Sequence, residues 1–493
     1  MNKVSNVFWI SLFISIVFVA WGALAPENLD NVFSSIQTFL TDKFNWLYIF
    51  SVTIFLVYSI YLMFSKYGKM KLGKPDEKPE YSRISWFAML FSAGMGIGII
   101  FWGAAEPLVH FATPPEADPE TKEAATKALR YSVYHWGLQT WAIYTVIALA
   151  IAYFKFRREV PGVISGTLQP LLGDRVNGAI GKVIDIIAVF ATIFGVATSL
   201  GLGASQINGG LAFISDIENS MSTKFIIIGI VTVLFLISAW SGINRGIKYL
   251  SNLNIILAVA LLLFILIVGP TVFILKNLGS TFLSYVTHLP TDSIRVSPED
   301  PEFAQWVKDW TVFYWAWFIA WSPFVGAFIA RVSRGRSIRE FIFGVLFVPT
   351  LFCILWFAVF GGGSLFQELQ GINTGLSDLA KEEAMFGMFS SLPFGTVATI
   401  LAVLLISTFF ITSADSATFV LGMQTTNGSL NPPNVVKMTW GVILAATASV
   451  LLASGGLGAL QTASIASAFP FIFILLTMIV SLTKALREDY REE

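Results

Sequence analysis

The sequence predicts an all-α polytopic membrane protein, on three observations. Of its 493 residues, 55% are apolar and only 13% are charged, where a soluble fold carries about 25% charged residues. Mean hydropathy is +0.72. Apolar runs long enough to cross a bilayer, about 20 residues each, recur along the whole chain. The formal net charge is zero, with 31 basic and 31 acidic residues. That excludes a globally basic nucleic-acid binder and an acidic disordered chain. The single cysteine, Cys353, rules out an intramolecular disulfide and a multi-cysteine metal site.

Twelve spans are expected, over residues 7–25, 46–64, 84–108, 131–154, 184–214, 224–240, 251–275, 309–330, 341–361, 395–421, 435–454 and 459–483. The first has features of a signal peptide, namely Lys3, an apolar stretch and Ala23-Leu24-Ala25. Its length and the Pro26 that would follow the cut favour an uncleaved span. With the N-terminus inside, 22 of the 31 basic residues fall on the inner side, including the 66–83 loop and the Arg331–Arg339 loop. The inner segments then carry +11 and the outer ones −9. The positive-inside bias therefore puts both termini in the cytoplasm. Neither end is expected to hold a soluble domain; residues 484–493 form a short cytoplasmic tail.

The third span carries Gly94, Gly96 and Gly98 at alternate positions. Each glycine costs a helix about 1 kcal/mol relative to alanine. Two readings follow: a break that aims free backbone groups at a ligand, or a close helix–helix contact between small residues. The fourth span presents Trp136, Trp141 and Tyr144, spread over roughly 140° of a helix. In the eighth span, Trp310, Tyr314, Trp317, Phe318, Trp321 and Phe324 fall within an arc of about 120°. An aromatic stripe is commonly packing or an interfacial belt, yet Trp317, Phe318 and Trp321 lie towards mid-span. Two such faces turned to one cavity would form a cage for a quaternary ammonium ion. Pro323 is expected to free a carbonyl there. In the tenth span the Thr412 and Ser413 hydroxyls could join carbonyls of the broken third span around sodium; the alternative is back-bonding to the preceding turn.

Ionisable residues in the spans are few, chiefly Glu106 and Asp415. Such residues are functional candidates, against the plainer reading that Glu106 reaches the interface and Asp415 caps backbone. The three histidines, His110, His135 and His288, are far apart in sequence. No metalloprotease, phosphate-loop or nucleophile-elbow motif is present, so an enzyme is not expected.

These elements together resemble the betaine/choline/carnitine transporter family. The resemblance rests on Gly94–Gly98 with Glu106-Pro107, His135–Tyr144, Tyr314–Trp317, Trp321–Gly326, Ala330–Arg336 and Thr412–Ser416. It implies a leucine-transporter-like core in which spans 3–7 (84–275) and 8–12 (309–483) are inverted repeats joined by an outer linker, 276–308. Spans 1 and 2 with their basic loop, 1–83, would be additions. By resemblance, Trp136, Trp141, Tyr144 and Phe318 form the substrate cage, Phe318 standing where tryptophan is usual. Trp317 and Trp321 line the route inward, and the Gly94, Met95, Gly96 and Gly98 stretch borders the substrate. One sodium site would use the carbonyls of Ser92, Met95 and Phe409 with the Thr412 and Ser413 hydroxyls. A second would use Thr192 and Phe324, with Val196 replacing a threonine. Gly98, where choline-type members tend to carry Asp, favours a zwitterion. The resemblance thus implies a bacterial, homotrimeric sodium symporter for glycine betaine or a related compatible solute, with lipid as its other partner and no further cofactor. Proton-coupled uptake of choline or carnitine and an uncoupled channel are the alternatives.

Overall fold

The computed structural model describes residues 4–94, 96–241 and 244–492. Among the described residues there is no β-strand; one isolated bridge pairs Lys71 with Ser337. Ten helices among them are long and apolar enough to cross a membrane. Helix α1 (Asn6–Leu24) passes through Ala25 into α2 (Pro26–Phe64), whose proline occupies the first turn, where its missing N–H costs nothing. The second span was expected to open at residue 46. The helix starts at Pro26 because the more polar 26–45 stretch contains no interior breaker, which a search for apolar runs does not register.

The third span is broken where its glycines predict. Helix α3 (Arg83–Gly94) stops and α4 (Ile97–Ala112) begins after an extended Gly96, with no side chain capping its first turn. Met95 lies outside the described residues, as do the side chains of residues 91–94. The fourth span is also divided, which the sequence reading did not anticipate. Helix α5 (Lys122–Trp136) meets α6 (Leu138–Phe156) at Gly137. A Cβ there would lie 2.6 Å from Tyr285 Oη and 2.7 Å from the Val133 carbonyl. The Tyr285 hydroxyl enters this gap, accepting from Leu138 N–H at 2.8 Å and donating to Gln139 Oε1 at 3.1 Å.

Helices α7 (Ala179–Ile214), α8 (Met221–Ser241) and α9 (Asn244–Val268) follow. The seventh span ends at Val268 rather than 275, because Gly269-Pro270 interrupts the ladder. The expected linker contains a further helix, α10 (Thr271–Asp292), which buries Ile274, Thr281 and Tyr285 on one face. Helix α11 (Pro301–Val332) contains a π-helical turn at Val307–Val312, and α12 (Ile338–Leu369) one at Phe357–Gly361. Short α13 (Ala384–Ser390) and long α14 (Gly395–Gln424) precede α15 (Asn434–Glu492). Helix α15 is bent at Gly455 and Gly456, the latter at φ +61°. Its first half follows α1 (Phe8 on Trp440, Gly22 on Val450) and its second follows α2 (Tyr48 to Ile465, Tyr58 to Thr483). Since α1 and α2 run in opposite directions, the bend turns the chain back on itself.

Both chain ends lie on one face. Ser5 bonds to Thr425, Gly428 abuts Gly162, and Arg158 pairs with Asp489 at 2.7 Å. Exposed apolar side chains such as Phe13, Ile226, Ile230 and Val233 cover the flanks of α1 and α8. A lipid surround satisfies such flanks, and complete helical bonding satisfies the backbone within it.

Candidate functional site

Helices α5, α6 and α11 bring the expected aromatic residues together at the centre. Trp136 meets Phe318 edge-on at 5.1 Å between ring centroids, and Tyr144 meets Phe318 at 6.2 Å. Trp141 packs on Tyr144 at 5.5 Å, and Trp321 lies 6.4 Å from Tyr144. Trp317 stacks on Phe318 at 5.4 Å and touches Trp136 at 6.0 Å. All six rings are buried. The break at Gly137 lets the rings before and after it approach Phe318 together. Two polar atoms of this group, Tyr144 Oη and Trp321 Nε1, are buried with no hydrogen-bond partner. Leaving such an atom unpaired costs about 1–3 kcal/mol.

Pro323 does not leave a free carbonyl as expected. Its missing N–H would have bonded to Ile319, and the Ser322 hydroxyl donates to that carbonyl at 2.7 Å instead. The helix therefore runs through unbroken. Glycine permits α7 to approach it closely: a Cβ on Gly195 would lie 2.8 Å from the Trp321 nitrogen.

The broken third span faces the same rings. A Cβ on Gly98 would lie 2.5 Å from Trp317 and 2.9 Å from Trp136. One on Gly96 would lie 3.4 Å from Trp321 and 4.0 Å from Ser413 Oγ. Glycine's second role, close contact, thus holds alongside the break. On α14, Thr412 Oγ1 lies 3.2 Å from the Phe409 carbonyl and also donates to Thr408 at 3.0 Å. It accepts from Asn254 Nδ2 of α9 at 3.1 Å, a neighbour that the sequence reading missed. Ser92 and Gly94 fall in the last turn of α3, while Met95 lies outside the described residues. Thr192 back-bonds to Ala188 at 2.8 Å. Among the described residues it makes no hydrogen bond to another helix.

Glu106 is the centre of a network the sequence reading did not assemble. It does not reach the interface; it is wholly buried. Its Oε2 accepts from Trp136 Nε1 at 3.0 Å and from the Tyr314 hydroxyl at 2.6 Å. Its Oε1 lies 2.6 Å from His135 Nδ1 and 3.3 Å from His110 Nε2. The histidines continue outward to Thr311 (3.0 Å) and Trp306 (3.2 Å). The four-residue spacing of Glu106 and His110 on one helix was the available signal; the other partners come from distant segments. The network fixes the ring of Trp136 from the face opposite the chain ends.

Towards the chain ends, a cavity of about 280 Å³ begins at Phe324 and is lined by Lys155, Arg331, Asp415 and Lys437 among others. Phe324 lies 5.5 Å from Trp321, so one ring separates this cavity from the aromatic group. Asp415 borders the cavity rather than capping the backbone through its carboxyl.

The chain matches the betaine/carnitine/choline family transporter description over residues 6–491. It is 54% identical over 493 residues to the glycine betaine transporter OpuD of Bacillus subtilis, covering 100% of this chain and 96% of that one. It is 45% identical to an ectoine/hydroxyectoine transporter of Virgibacillus pantothenticus (99% and 97% covered). A probable glycine betaine transporter of Desulfitobacterium hafniense is 44% identical (99% and 99%). These are transporters and not enzymes, and the aromatic site sits in a multi-pass membrane protein. The chain belongs to the betaine/carnitine/choline transporter family.

Proposed function

We propose that this chain imports glycine betaine or a related quaternary-ammonium solute by sodium symport across a bacterial cell membrane, for osmoprotection. The observation that carries the reading is the mutual contact of Trp136, Tyr144, Phe318 and Trp321. Ring faces attract a cation that cannot donate hydrogen bonds, at about 0.5–2 kcal/mol per contact. Tyr144 Oη and Trp321 Nε1 remain available to an anionic partner group. The uncapped first turn of α4 starts beside the cage, and its N–H groups favour a carboxylate. A zwitterion uses both halves. Identity to the OpuD transporter favours glycine betaine; the ectoine transporter's 45% identity keeps ectoine as the second candidate.

Sodium is assigned to the carbonyls of Ser92, Met95 and Phe409 with the Thr412 and Ser413 hydroxyls. The proximity of Gly96 to Ser413 supports that site, while Thr412 back-bonds to the Thr408 and Phe409 carbonyls of its own helix, the alternative arrangement for that hydroxyl. A second ion at Thr192 and Phe324 has only the resemblance behind it. Twelve crossings arranged as two inverted five-helix repeats, cytoplasmic termini, contact with lipid and a homotrimer complete the proposal.

Titration calorimetry of purified protein with glycine betaine, in sodium and then in potassium buffer, tests it. Binding that requires sodium and weakens at least tenfold in Trp321→Leu is expected. Sodium-independent binding, or unchanged affinity in Trp321→Leu, would contradict it. Tight choline binding that follows pH instead would favour the proton-coupled alternative.

A further inference from the structure

Helix α10 lies outside both expected repeats, yet one of its side chains enters the span that carries Trp136, Trp141 and Tyr144. That side chain is Tyr285, which is 2% exposed. In a continuous helix Leu138 N–H would bond to the Tyr134 carbonyl. Across the break between α5 and α6 it bonds to the Tyr285 hydroxyl instead, at 2.8 Å, and that hydroxyl donates to Gln139 Oε1 at 3.1 Å. The end of α10 grips the chain on both sides of the break. Before it, the Tyr134 hydroxyl donates to the Asp292 carbonyl at 2.8 Å; after it, Gln139 Nε2 donates to Ser293 Oγ at 3.0 Å. Ser293 follows the last residue of α10, and Thr53 of α2 holds its carbonyl.

The grip matters because of the rings on either side of it. Trp136 and Tyr144 are eight residues apart, about 12 Å along the axis of an unbroken helix. Both nevertheless meet the single Phe318 ring, at 5.1 and 6.2 Å. The break is what draws them together. Without the Tyr285 hydroxyl, Leu138 N–H would be buried and unpaired, an unfavourable state. Returning it to the Tyr134 carbonyl would relieve that state, but it would also make α5 and α6 continuous and carry Trp136 away from Tyr144.

We propose that Tyr285 is a positioning residue for the cage: by wedging the α5–α6 break it fixes the spacing of Trp136 from Tyr144, and with it the size of ammonium headgroup the carrier accepts. The inference rests on the proposed quaternary-ammonium substrate. Rings held at a fixed spacing discriminate between headgroups that differ by a methylene, whereas rings free to close or spread do so less. Selectivity is then set in part from α10, outside the aromatic residues themselves.

The test is titration calorimetry on purified wild type, Tyr285→Phe, Leu138→Pro and Tyr285→Phe/Leu138→Pro, with glycine betaine, tetramethylammonium and tetraethylammonium as ligands. Tyr285→Phe should weaken glycine betaine binding about tenfold or more, the range of one buried unpaired N–H. It should also reduce the preference for tetramethylammonium over tetraethylammonium at least about threefold. Leu138 is the first residue of α6, where proline is tolerated and brings no N–H to satisfy. Proline there also prevents the two helices from rejoining. In the Leu138→Pro background, Tyr285→Phe should therefore change affinity and preference by less than about twofold. Unchanged affinity in Tyr285→Phe, a weaker affinity with unchanged preference, or a double variant no closer to wild type than Tyr285→Phe would overturn the proposal. Near-ultraviolet circular dichroism of the ligand-free proteins needs no solute. Its indole bands should change in Tyr285→Phe and return in the double variant; bands unchanged by Tyr285→Phe would also overturn the wedge. If tetramethylammonium shows these ratios while glycine betaine does not bind wild type, the substrate assignment fails and the wedge stands.

Discussion

Two residues decide how the cage holds its shape. Gly98 has no room for a methyl group, since its Cβ would lie 2.5 Å from Trp317 and 2.9 Å from Trp136. Both contacts are stiff rings, and overpacking of this kind costs about 1–3 kcal/mol. Gly98→Ala is therefore expected to cut glycine betaine uptake about tenfold or more at unchanged expression, measured as initial rates in cells. Glu106 presents oxygen acceptors to Trp136, Tyr314 and His135. Glu106→Gln replaces one oxygen by an NH2 group that cannot accept. Trp136 Nε1 and the Tyr314 hydroxyl share Oε2. An NH2 on that side leaves the indole N–H, which cannot turn to accept, unpaired at about 1–3 kcal/mol. A rise in KM of about tenfold, with Trp136 no longer fixed, is expected from uptake kinetics. The aromatic residues were legible in the sequence because a helix repeats every 3.6 residues, so Trp317, Phe318 and Trp321 fall on one face. The network joining Glu106 to His135, Tyr314 and, through His110, Trp306 was not, because its contacts join segments up to 208 residues apart in sequence.

Helix breaks do for the elements what the rings do for the site. The Gly94–Gly98 break was legible because three glycines at alternate positions oppose a helix. The Gly137 break was not, since a single glycine usually continues a helix; Tyr285 of α10 completes it. Helix α10 escaped notice because its apolar residues recur on one face without forming a continuous run. On the face opposite the chain ends, the 113–121 connection is pinned by Glu116. Its carboxyl accepts from Tyr131 and Arg295 and pairs with Arg130 at 3.3 Å. Burial alone would raise this carboxyl, but the Tyr131 and Arg295 hydrogen bonds, with the charges of Arg295 and Arg130, hold it below its ordinary value. A carboxyl lowered on folding stabilises fully above its unfolded value of about 4.3 and loses that contribution as pH falls through the folded value. Glu116→Gln should therefore lower Tm at pH 7 and flatten the acid side of the Tm–pH curve. A variant curve parallel to wild type would contradict the pin.

Across the whole molecule, the aromatic route runs in one line. Tyr314 packs on Trp136 and Phe318, and Trp321 and Phe324 border the cavity beside Asp415 and Arg331. A cavity on the side of the chain termini, ending at the Phe324 and Trp321 rings, suits a carrier whose site is reached from one side at a time. A channel needs a continuous polar lining, and the rings between Tyr314 and Phe324 interrupt any such path. The cage residues Trp136, Trp141, Tyr144 and Phe318 carry no formal charge of their own, and the Glu106 carboxyl stands behind Trp136, bonded to its Nε1. The central claim, sodium-driven movement of a quaternary-ammonium solute through that cage, meets its most direct test in proteoliposomes. Radiolabelled glycine betaine uptake is measured under an inward sodium gradient and under an equal potassium gradient, at the same membrane potential. Concentrative uptake with sodium alone, abolished by collapsing the gradient, is the predicted result; equal uptake under both gradients would contradict the account.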